Sequence, residues 1–437
     1  MQLLSIREYS RLSVAETCVE GACVSRSQAH ALRALKNIHG YDIFTYSDEN
    51  TLVSKQYVGT AQIGQLTIEV LPKIDGLNDT QIRRNLIQML ATCINLHISE
   101  GDVARVSTQS NGILEILIRL FCDKLFEQVH KGLVRRYESR SENLYVLRGK
   151  IGISDQIKTN IFNPEKLFCH FEEFQEDNPL NQVIKACLRL LTKFSQQASN
   201  QRKINELLFV FESVTDVPPS SLPWQKVRFD RMSLRYEPTY KLAELFLRDT
   251  PPDITGGGSR GFSLFFDMNK LFEEFVGRIA QRNFQQKGFK VFLQGPRQYL
   301  AMDEASAQNS FALKPDIVGT KDNSNAWIID TKWKTLSTSA LRDGVLQGDI
   351  YQMYAYSMRY KCSDVIILYP HHHELGDSPG CRASYRLNDQ LMTHDAVRTS
   401  RIRIATLDLT DLSTVPFQLT NLIENKSTQE FPQLQMA

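Results

Sequence analysis

The sequence predicts a multidomain α+β protein with a β-rich N-terminal region, a mainly helical middle region and a C-terminal domain built on a mixed sheet flanked by helices. Three patterns predict this order. Short runs of alternating apolar residues, such as 51–58 and 62–72, are typical of strands joined by hairpins. Apolar residues at spacings of three and four over 111–134 are typical of an amphipathic helix. After residue 260, strand and helix patterns follow one another, which favours a mixed sheet covered by helices.

Length and a flexible stretch suggest how the chain is divided. The 437 residues correspond to about three domains at ~150 residues each. The stretch 251–259 is rich in proline and glycine and predicts a boundary or loop. We therefore expect four regions: a β-rich N-terminal domain over 1–105, a mainly helical middle over 106–255, a C-terminal domain over 256–424 and a polar tail over 425–437.

Composition excludes several classes of protein. Hydrophobic residues make up 42% and charged residues 23% of the chain, as in ordinary globular proteins. The formal net charge of +2 creates no global field, so a polyanionic partner has to be met by a local patch. No apolar run approaches the ~18 residues that cross a bilayer, and early charged residues argue against a signal peptide. We expect a cytoplasmic protein with reduced cysteines, because its eight cysteines form no C-x-x-C pair.

A hairpin near residue 320 is the most informative segment. Strand patterns over 314–320 and 326–333 flank a polar turn. Folding the chain about this turn pairs Lys321 with Ala326. The same register then fixes which polar side chains meet at the far end of the hairpin.

At that end, two acidic residues and one lysine converge. The register places Asp316 opposite Thr331, within a residue of Asp330. Because side chains alternate along a strand, Asp330 and Lys332 share one face. The hairpin therefore predicts two carboxylates and one ammonium in close proximity.

Such a cluster suits a hard divalent cation. Two adjacent carboxylates among apolar neighbours repel each other and lose hydration unless a cation neutralises them. Oxygen ligands from Asp316, Asp330 and the backbone carbonyl of Thr331 favour Mg²⁺, with Mn²⁺ as an alternative. Beside it, Lys332 is placed to assist an attacking water, which fits hydrolysis of a phosphodiester. The competing interpretation is a surface ion pair of Asp330 with Lys332 next to a simple turn.

Two helices add polar residues to this picture. An amphipathic helix over 264–280 places Glu273 and Glu274 next to its apolar face, and one of them is a candidate metal ligand. On the helix that follows the hairpin, Gln352 and Tyr356 lie at i and i+4 on one face. They are candidates for contact with DNA or for support of the site.

These motifs resemble those of a known nuclease family. Pro315-Asp316, Asp330-Thr331-Lys332 and the Gln-x-x-x-Tyr pattern resemble the PD-(D/E)XK nuclease superfamily, whose RecB-like branch has such a helix. Further stretches resemble the McrC family, the nuclease subunits of McrBC-type modification-dependent restriction systems. These stretches are YVG at 57–59, LTIEVLPKI at 66–74, LRGKI at 147–151, FEEF at 171–174, DNPLN at 177–181 and FFDMNKLFE at 265–273.

The resemblance implies roles for individual residues. Asp316 and Asp330 are then metal ligands, Lys332 is the catalytic lysine, and Glu273 is the better candidate on the helix. The activity implied is that of a metal-dependent endodeoxyribonuclease in phage defence.

The resemblance also implies partners. It implies an AAA+ GTPase ring resembling McrB that binds GTP itself and recognises modified cytosine of the 5-methylcytosine type in double-stranded DNA. The β-rich segment 51–73 is then the candidate contact with the ring and stimulates its GTPase. Cleavage of both strands suggests pairing of nuclease domains, and no membrane is involved. The alternatives are a non-catalytic assembly and GTPase-activating factor with a vestigial nuclease fold, or a free-standing exonuclease.

Overall fold

The chain forms two compact units in a computed structural model. The structure describes residues 2–16, 22–96, 112–248, 262–339, 341–376, 378–387 and 400–424. One unit comprises Met1–Thr108 and Phe265–Ala437, and the other comprises Gln109–Leu264. The N-terminal and C-terminal regions, which the sequence predicts as separate domains, thus belong to the same unit. The predicted boundaries near 105 and 255, the proline- and glycine-rich stretch 251–259 and the tail 425–437 lie outside the described residues.

The N-terminal part of the first unit is rich in strands, with two helices. Its elements are β1 Gln2–Arg7, β2 Arg11–Val14, β3 Cys23–Val24, α1 Arg26–His39, β4 Phe44–Asp48, β5 Thr51–Ser54, β6 Tyr57–Ile63, β7 Leu66–Leu71 and α2 Asp79–Cys93. One sheet has the order β3-β2-β5-β4, and another begins β1-β7-β6. Cys23 is disulfide-bonded, which differs from the expectation that the cysteines are reduced.

Both helices of this part begin at capping boxes. Ser25 accepts a hydrogen bond from the backbone of Gln28, whose side chain accepts one from the backbone of Ser25. Asn78 and Gln81 make the same reciprocal pair at the start of α2. Each box satisfies two backbone groups that the first helical turn leaves without partners, so local sequence fixes where the helices begin.

The second unit combines helices with a small sheet. Its elements are α3 Ile113–Val129, β8 Arg136–Leu144, β9 Lys150–Ile151, α4 Ile153–Asn160, β10 Leu167–Gln175, α5 Pro179–Phe194, α6 Ala198–Val210 and α7 Glu237–Arg248, with short 3₁₀ turns at Pro219–Ser221, Trp224–Lys226 and Leu234–Tyr236. The strands form an antiparallel sheet of order β8-β10-β9. Sequence analysis predicts a mainly helical region and misses this sheet, because the residues of β8 are mostly polar and show no alternation of apolar side chains.

Ion pairs accompany the apolar contacts of this sheet. Glu173 of β10 lies 3.2 Å from Arg140 and 3.0 Å from Arg148. Beyond the strand, Glu176 lies 2.8 Å from Arg135. The basic character of the stretch 135–150 is therefore partly neutralised by neighbouring glutamates.

The C-terminal part of the first unit contains the largest sheet. The elements from the end of the second unit onward are β11 Phe262–Asp267, α8 Met268–Gln285, β12 Lys290–Leu293, β13 Gln298–Met302, β14 Asn309–Leu313, β15 Ile317–Lys321, β16 Ser324–Thr331, α9 Gln347–Tyr360, β17 Asp364–Pro370, β18 Gly380–Arg386, β19 Arg401–Leu407 and α10 Val415–Glu424, with short 3₁₀ turns at Leu341–Gly344, His373–Leu375 and Leu412–Thr414. Six strands form a mixed sheet of order β12-β15-β16-β17-β19-β18, in which β17 runs parallel to β16 and β19. This confirms the predicted mixture of helices and strands.

Alternation along β16 packs a helix against each face of this sheet. Trp327 is fully buried, and its ring lies 5.3 Å from that of Phe284 on α8. The next residue, Ile328, lies in a core cluster with Met353 of α9. Since successive side chains of a strand point to opposite faces, α8 and α9 cover opposite faces of the sheet.

The helix predicted over 264–280 begins later than expected. Leu264 lies in β11, and α8 starts at Met268 with Asp267 as its N-cap. The first four residues of β11 are all buried, and the strand adds to the sheet that contains β6. Strand pairing thus overrides the helical spacing at this point.

Within the described residues, no helix is long and apolar enough to cross a membrane.

A buried carboxylate links the N-terminal strands to the C-terminal sheet. Glu8, which follows β1, is only 2% exposed. Its Oε1 accepts hydrogen bonds from Nε1 of Trp333 at 2.8 Å and from the backbone N of Lys73 at 2.7 Å. Burial raises the pKa of Glu8, and these hydrogen bonds oppose the rise. One side chain thereby connects three segments that are distant in sequence.

We expect Glu8→Ala to destabilise the chain by about 2–4 kcal/mol in urea unfolding, because the buried Nε1 of Trp333 and the backbone N of Lys73 lose their acceptor. Glu8→Gln keeps an oxygen acceptor at the same place and removes the buried charge, so its loss should be clearly smaller. Equal losses for the two variants would show that the hydrogen bonds to Glu8 contribute little.

Candidate active site

The hairpin that holds the site closes with a two-residue turn. Asp322 and Asn323 both have left-handed backbone angles, with φ of 51° and 58°. Such turns match the twist of the flanking strands. Lys321 consequently pairs with Ser324. The predicted pairing of Lys321 with Ala326 is therefore wrong, because the turn is tighter than expected.

A β-bulge at Ala326 of β16 then shifts the register once more, because Thr320 pairs with Asn325 and Gly319 with Trp327. Ile317 pairs with Ile329, so the residue before Ile317 lies beside the residue after Ile329. These two residues are Asp316 and Asp330. The expected position of Asp316 opposite Thr331 is wrong by one residue, and the correction brings the two carboxylates closer together.

Asp330 is a buried carboxylate near the end of a central strand. It is 2% exposed, and its Oδ2 lies 2.7 Å from Nζ of Lys332. That oxygen is buried, so its ion pair with the lysine is shielded from solvent. Burial and the neighbouring Asp316 raise the pKa of Asp330 to about 7, although Lys332 opposes the rise.

Asp316 is oriented by the residue next to Asp330. Its Oδ2 accepts hydrogen bonds from the backbone N of Thr331 at 2.7 Å and from its Oγ1 at 2.8 Å. Burial raises the pKa of Asp316, while both hydrogen bonds oppose the rise. Thr331 was singled out for its backbone carbonyl, and the structure shows a further contribution, which is to hold Asp316 in place.

Lys332 is surrounded by acceptors from two elements. Besides Asp330, its Nζ lies 3.4 Å from Oε1 of Gln352 and 3.9 Å from Oδ1 of Asp349, both on α9. Burial disfavours the ammonium, but the carboxylates of Asp330 and Asp349 outweigh it and raise the pKa of Lys332. The lysine is therefore held as a cation beside the acidic pair.

Sequence analysis missed Asp349. A signal was present, because Asp349, Gln352 and Tyr356 recur at i, i+3 and i+7 and so share one helical face. Gln352 and Tyr356 do lie at the site, where Nε2 of Gln352 donates to the phenol oxygen of Tyr356 at 2.8 Å. That hydrogen bond directs the amide oxygen of Gln352 toward the lysine.

Glu273 lies on the opposite helix, α8, and also faces the acidic pair. Its Oε1 accepts a hydrogen bond from Nε2 of Gln294 at 2.6 Å. Burial and the charge of Asp316 raise the pKa of Glu273. Glu274 is exposed and pairs with Arg278 at 3.1 Å. The structure thus places Glu273, rather than Glu274, toward Asp316.

The site fits a divalent cation as an open site rather than a closed one. No group of three His, Cys, Asp or Glu side chains in the described ranges forms a metal cage. The carboxylates of Asp316 and Asp330 nevertheless repel each other, and the pKa of the buried Asp330 is raised in spite of its ion pair with Lys332. Mg²⁺ commonly takes one or two carboxylates and fills its remaining positions with water and substrate oxygens. The donor set therefore suits Mg²⁺.

The fold is shared with restriction-system assemblies. One chain of a refined half-complex from the tetradecameric assembly of Thermococcus gammatolerans McrB AAA+ hexamers with bound McrC is similar with a TM-score of 0.68 and 19% identity, covering 97% of this chain and 100% of that chain. A chain of the cryo-EM structure of the Thermococcus gammatolerans McrBC complex is similar with a TM-score of 0.51 and 21% identity, covering 65% of this chain and 88% of that chain.

Sequence comparison identifies the family. The model of the McrBC 5-methylcytosine restriction system component family matches residues 52–370, which is more than half of the chain. The chain therefore belongs to this family, and the resemblance that its motifs indicated is confirmed. It matches no curated protein.

We expect the cation-free chain to lose stability as the pH rises from about 4 to about 7, because the folded-state pKa of Asp330 is raised from 3.8 to about 7 and its carboxyl favours folding only while protonated. Asp330→Asn should flatten this part of the profile and be more stable than the natural chain at pH 8. Thermal unfolding in EDTA at pH 5, 6, 7 and 8 measures both effects.

Asp343→Asn is the matched control, since Asp343 pairs with Arg382 outside the acidic pair. This variant should keep the pH dependence of the natural chain. An unchanged slope in Asp330→Asn would contradict the assignment of the pH dependence to Asp330.

Proposed function

We propose that this chain is the Mg²⁺-dependent DNA endonuclease subunit of a GTP-driven restriction complex that acts on DNA with modified cytosine. The observation that supports it most strongly is the position of Asp316 beside Asp330 on paired strands, with Lys332 ion-paired at the same edge. A buried acidic pair with an adjacent lysine is costly as a purely structural feature and useful for hydrolysis of a phosphodiester.

Two carboxylates provide the oxygen ligands in this proposal, and a third is a further candidate. Asp316 and Asp330 hold the cation, and Glu273 approaches from α8. Bound Mg²⁺, or Mn²⁺ in its place, supplies Lewis acidity toward the phosphodiester. The hydrogen bonds from Thr331 orient the carboxylate of Asp316, which would hold the cation together with Asp330.

Lys332 provides positive charge at the reacting phosphate. Its side chain is 29% exposed, whereas that of Asp330 is 3% exposed, so the ammonium lies on the solvent side of the acidic pair. From there it stabilises the negative charge that develops on the phosphate and orients the attacking water. Gln352 and Tyr356 support it through their hydrogen bond, and α9 is the element we expect to meet a DNA strand.

The partner in this proposal is an AAA+ GTPase ring. The similar half-complex contains McrB AAA+ hexamers with bound McrC. By analogy, the ring binds GTP, recognises the modified cytosine and presents double-stranded DNA to this chain, which stimulates its GTPase. Cleavage of both strands then requires two active sites, and we propose pairing of nuclease domains within the complex.

The second unit offers a better surface for the ring than the segment 51–73. In that segment Leu52, Val58 and Ile68 are fully buried, so its strands present few apolar side chains to a partner. The second unit exposes a group of apolar residues in and around α4: Tyr145, Val146, Leu147, Ile153, Ile157, Ile161 and Phe162. Large exposed apolar side chains concentrated in one part of a chain are typical of a protein interface. We propose that the ring binds there.

Asp330→Ala tests the nuclease proposal. In the complex with the ring, GTP and Mg²⁺, we expect cleavage of a 5-methylcytosine plasmid to fall by at least a hundredfold, because a cation ligand is lost. Stimulation of GTP hydrolysis should be retained, since it does not depend on the acidic pair. Asp343→Ala should cut normally.

Other outcomes would favour the alternatives. Unchanged cleavage by Asp330→Ala would point to an assembly and GTPase-activating factor with a vestigial nuclease fold. Cleavage by the isolated chain without GTP would point to a free-standing exonuclease.

Ile157→Asp tests the proposed ring contact. Ile157 is 61% exposed, and a charge there should weaken binding of the ring at least tenfold without lowering the melting temperature. Phe209→Asp is the matched control, because Phe209 is 76% exposed in the same unit and lies on α6, outside the apolar group. Sedimentation with the GTP-bound ring measures both. Equal binding by the two variants would place the ring elsewhere.

A further inference from the structure

The ammonium of Lys332 has acceptors on both sides of the site. The strand β16 supplies Oδ2 of Asp330 at 2.7 Å, and the helix α9 supplies Oε1 of Gln352 at 3.4 Å and Oδ1 of Asp349 at 3.9 Å. Asp330 and Gln352 lie within hydrogen-bond distance of the ammonium, whereas Asp349 at 3.9 Å contributes an ion pair. Gln352 and Asp349 belong to α9, which carries neither Asp316 nor Asp330.

Asp349 is directed toward the lysine rather than toward solvent. Its side chain is 18% exposed, and it forms no other ion pair within the described part of the chain. An acidic residue in the first turn of a helix is commonly stabilised by the helix dipole, which requires no partner and is compatible with full exposure. Interaction with the helix dipole therefore does not by itself account for the partial burial of Asp349 next to Lys332.

A bound cation would change which acceptors the lysine can use. Oδ2 of Asp330 is the atom that Lys332 contacts, and it belongs to a carboxylate proposed to hold the cation. Two positive groups that compete for one carboxylate repel each other. The lysine then depends on the acceptors of α9, of which Asp349 alone is negatively charged.

We infer that Asp349 is a positioning residue, which holds the ammonium of Lys332 next to the scissile phosphate while Asp330 is engaged with the cation. This inference rests on the proposed nuclease function and adds the carboxylate of Asp349 to the residues that serve the site. Asp349 acts through the lysine and is not itself a cation ligand. The adjacent amide of Gln352 supports the same position without supplying charge.

The test compares Asp349→Asn, Asp349→Glu and Asp343→Asn in the complete complex with the ring, GTP and Mg²⁺. We expect single-turnover cleavage by Asp349→Asn to fall about tenfold to a hundredfold, as displacement of a reacting group commonly does. Asp349→Glu retains a carboxylate and should recover at least part of the rate. Asp343→Asn, whose partner is Arg382, should cut like the natural chain.

A second measurement does not depend on cleavage. Titration of each full-length chain with Ca²⁺ as an unreactive probe should give the same affinity for Asp349→Asn as for the natural chain, within twofold. A clear loss of Ca²⁺ affinity would make Asp349 a cation ligand and overturn its positioning role. Melting temperatures of the variants should agree within a few degrees.

The remaining outcomes separate this inference from the proposed function. Normal cleavage by Asp349→Asn overturns the inference and leaves the nuclease proposal intact. An Asp349→Glu variant as slow as Asp349→Asn would also overturn it, since the loss would then not follow the charge. Failure of the natural complex to cut at all would overturn the proposed function itself.

Discussion

The repulsion between two carboxylates on adjacent strands is the constraint around which this site is organised. Asp316 and Asp330 are brought side by side by the register of β15 and β16, and Asp330 is almost fully buried. Burial and proximity both disfavour two charges there, as the raised pKa of Asp330 reflects. Neighbouring groups partly compensate this repulsion, because Thr331 donates a hydrogen bond to Asp316 and Lys332 forms an ion pair with Asp330. A hard cation would relieve what they leave uncompensated.

The same strand connects the site to the core. Side chains of β16 alternate, so Trp327 packs toward α8 while Ile328 and Asp330 face the side of α9. Beyond the strand, Trp333 contacts Phe272 of α8 and donates to the buried Glu8 of the N-terminal part. Packing that stabilises the sheet therefore also fixes the position of the acidic pair. An N-terminal residue is thereby hydrogen-bonded to Trp333, the residue next to Lys332.

The two units differ in the surfaces they offer. The first unit contains the acidic pair and the lysine at the ends of β15 and β16, with α9 packed on the face of the sheet beside them. The second unit has a polar sheet whose arginines are paired with glutamates, and it exposes the apolar residues around α4. The family to which the chain belongs is defined by its place in a restriction system. The proposals of nuclease chemistry in the first unit and ring binding by the second are compatible with that place.

The sequence by itself determined what depends on neighbouring residues. Alternation over 314–333 located the hairpin, and the Asp330-Thr331-Lys332 motif indicated the chemistry and the family. Tertiary structure decided what depends on distant residues. The turn and bulge that bring Asp316 beside Asp330 follow from pairing within the sheet, and the contact of Asp349 with Lys332 follows from α9 packing back onto it. The polar strand β8 has no apolar pattern to reveal it, because its partner β10 supplies the compensating charges. Local periodicity encodes the elements, whereas register and packing are set by contacts that no short window of sequence contains.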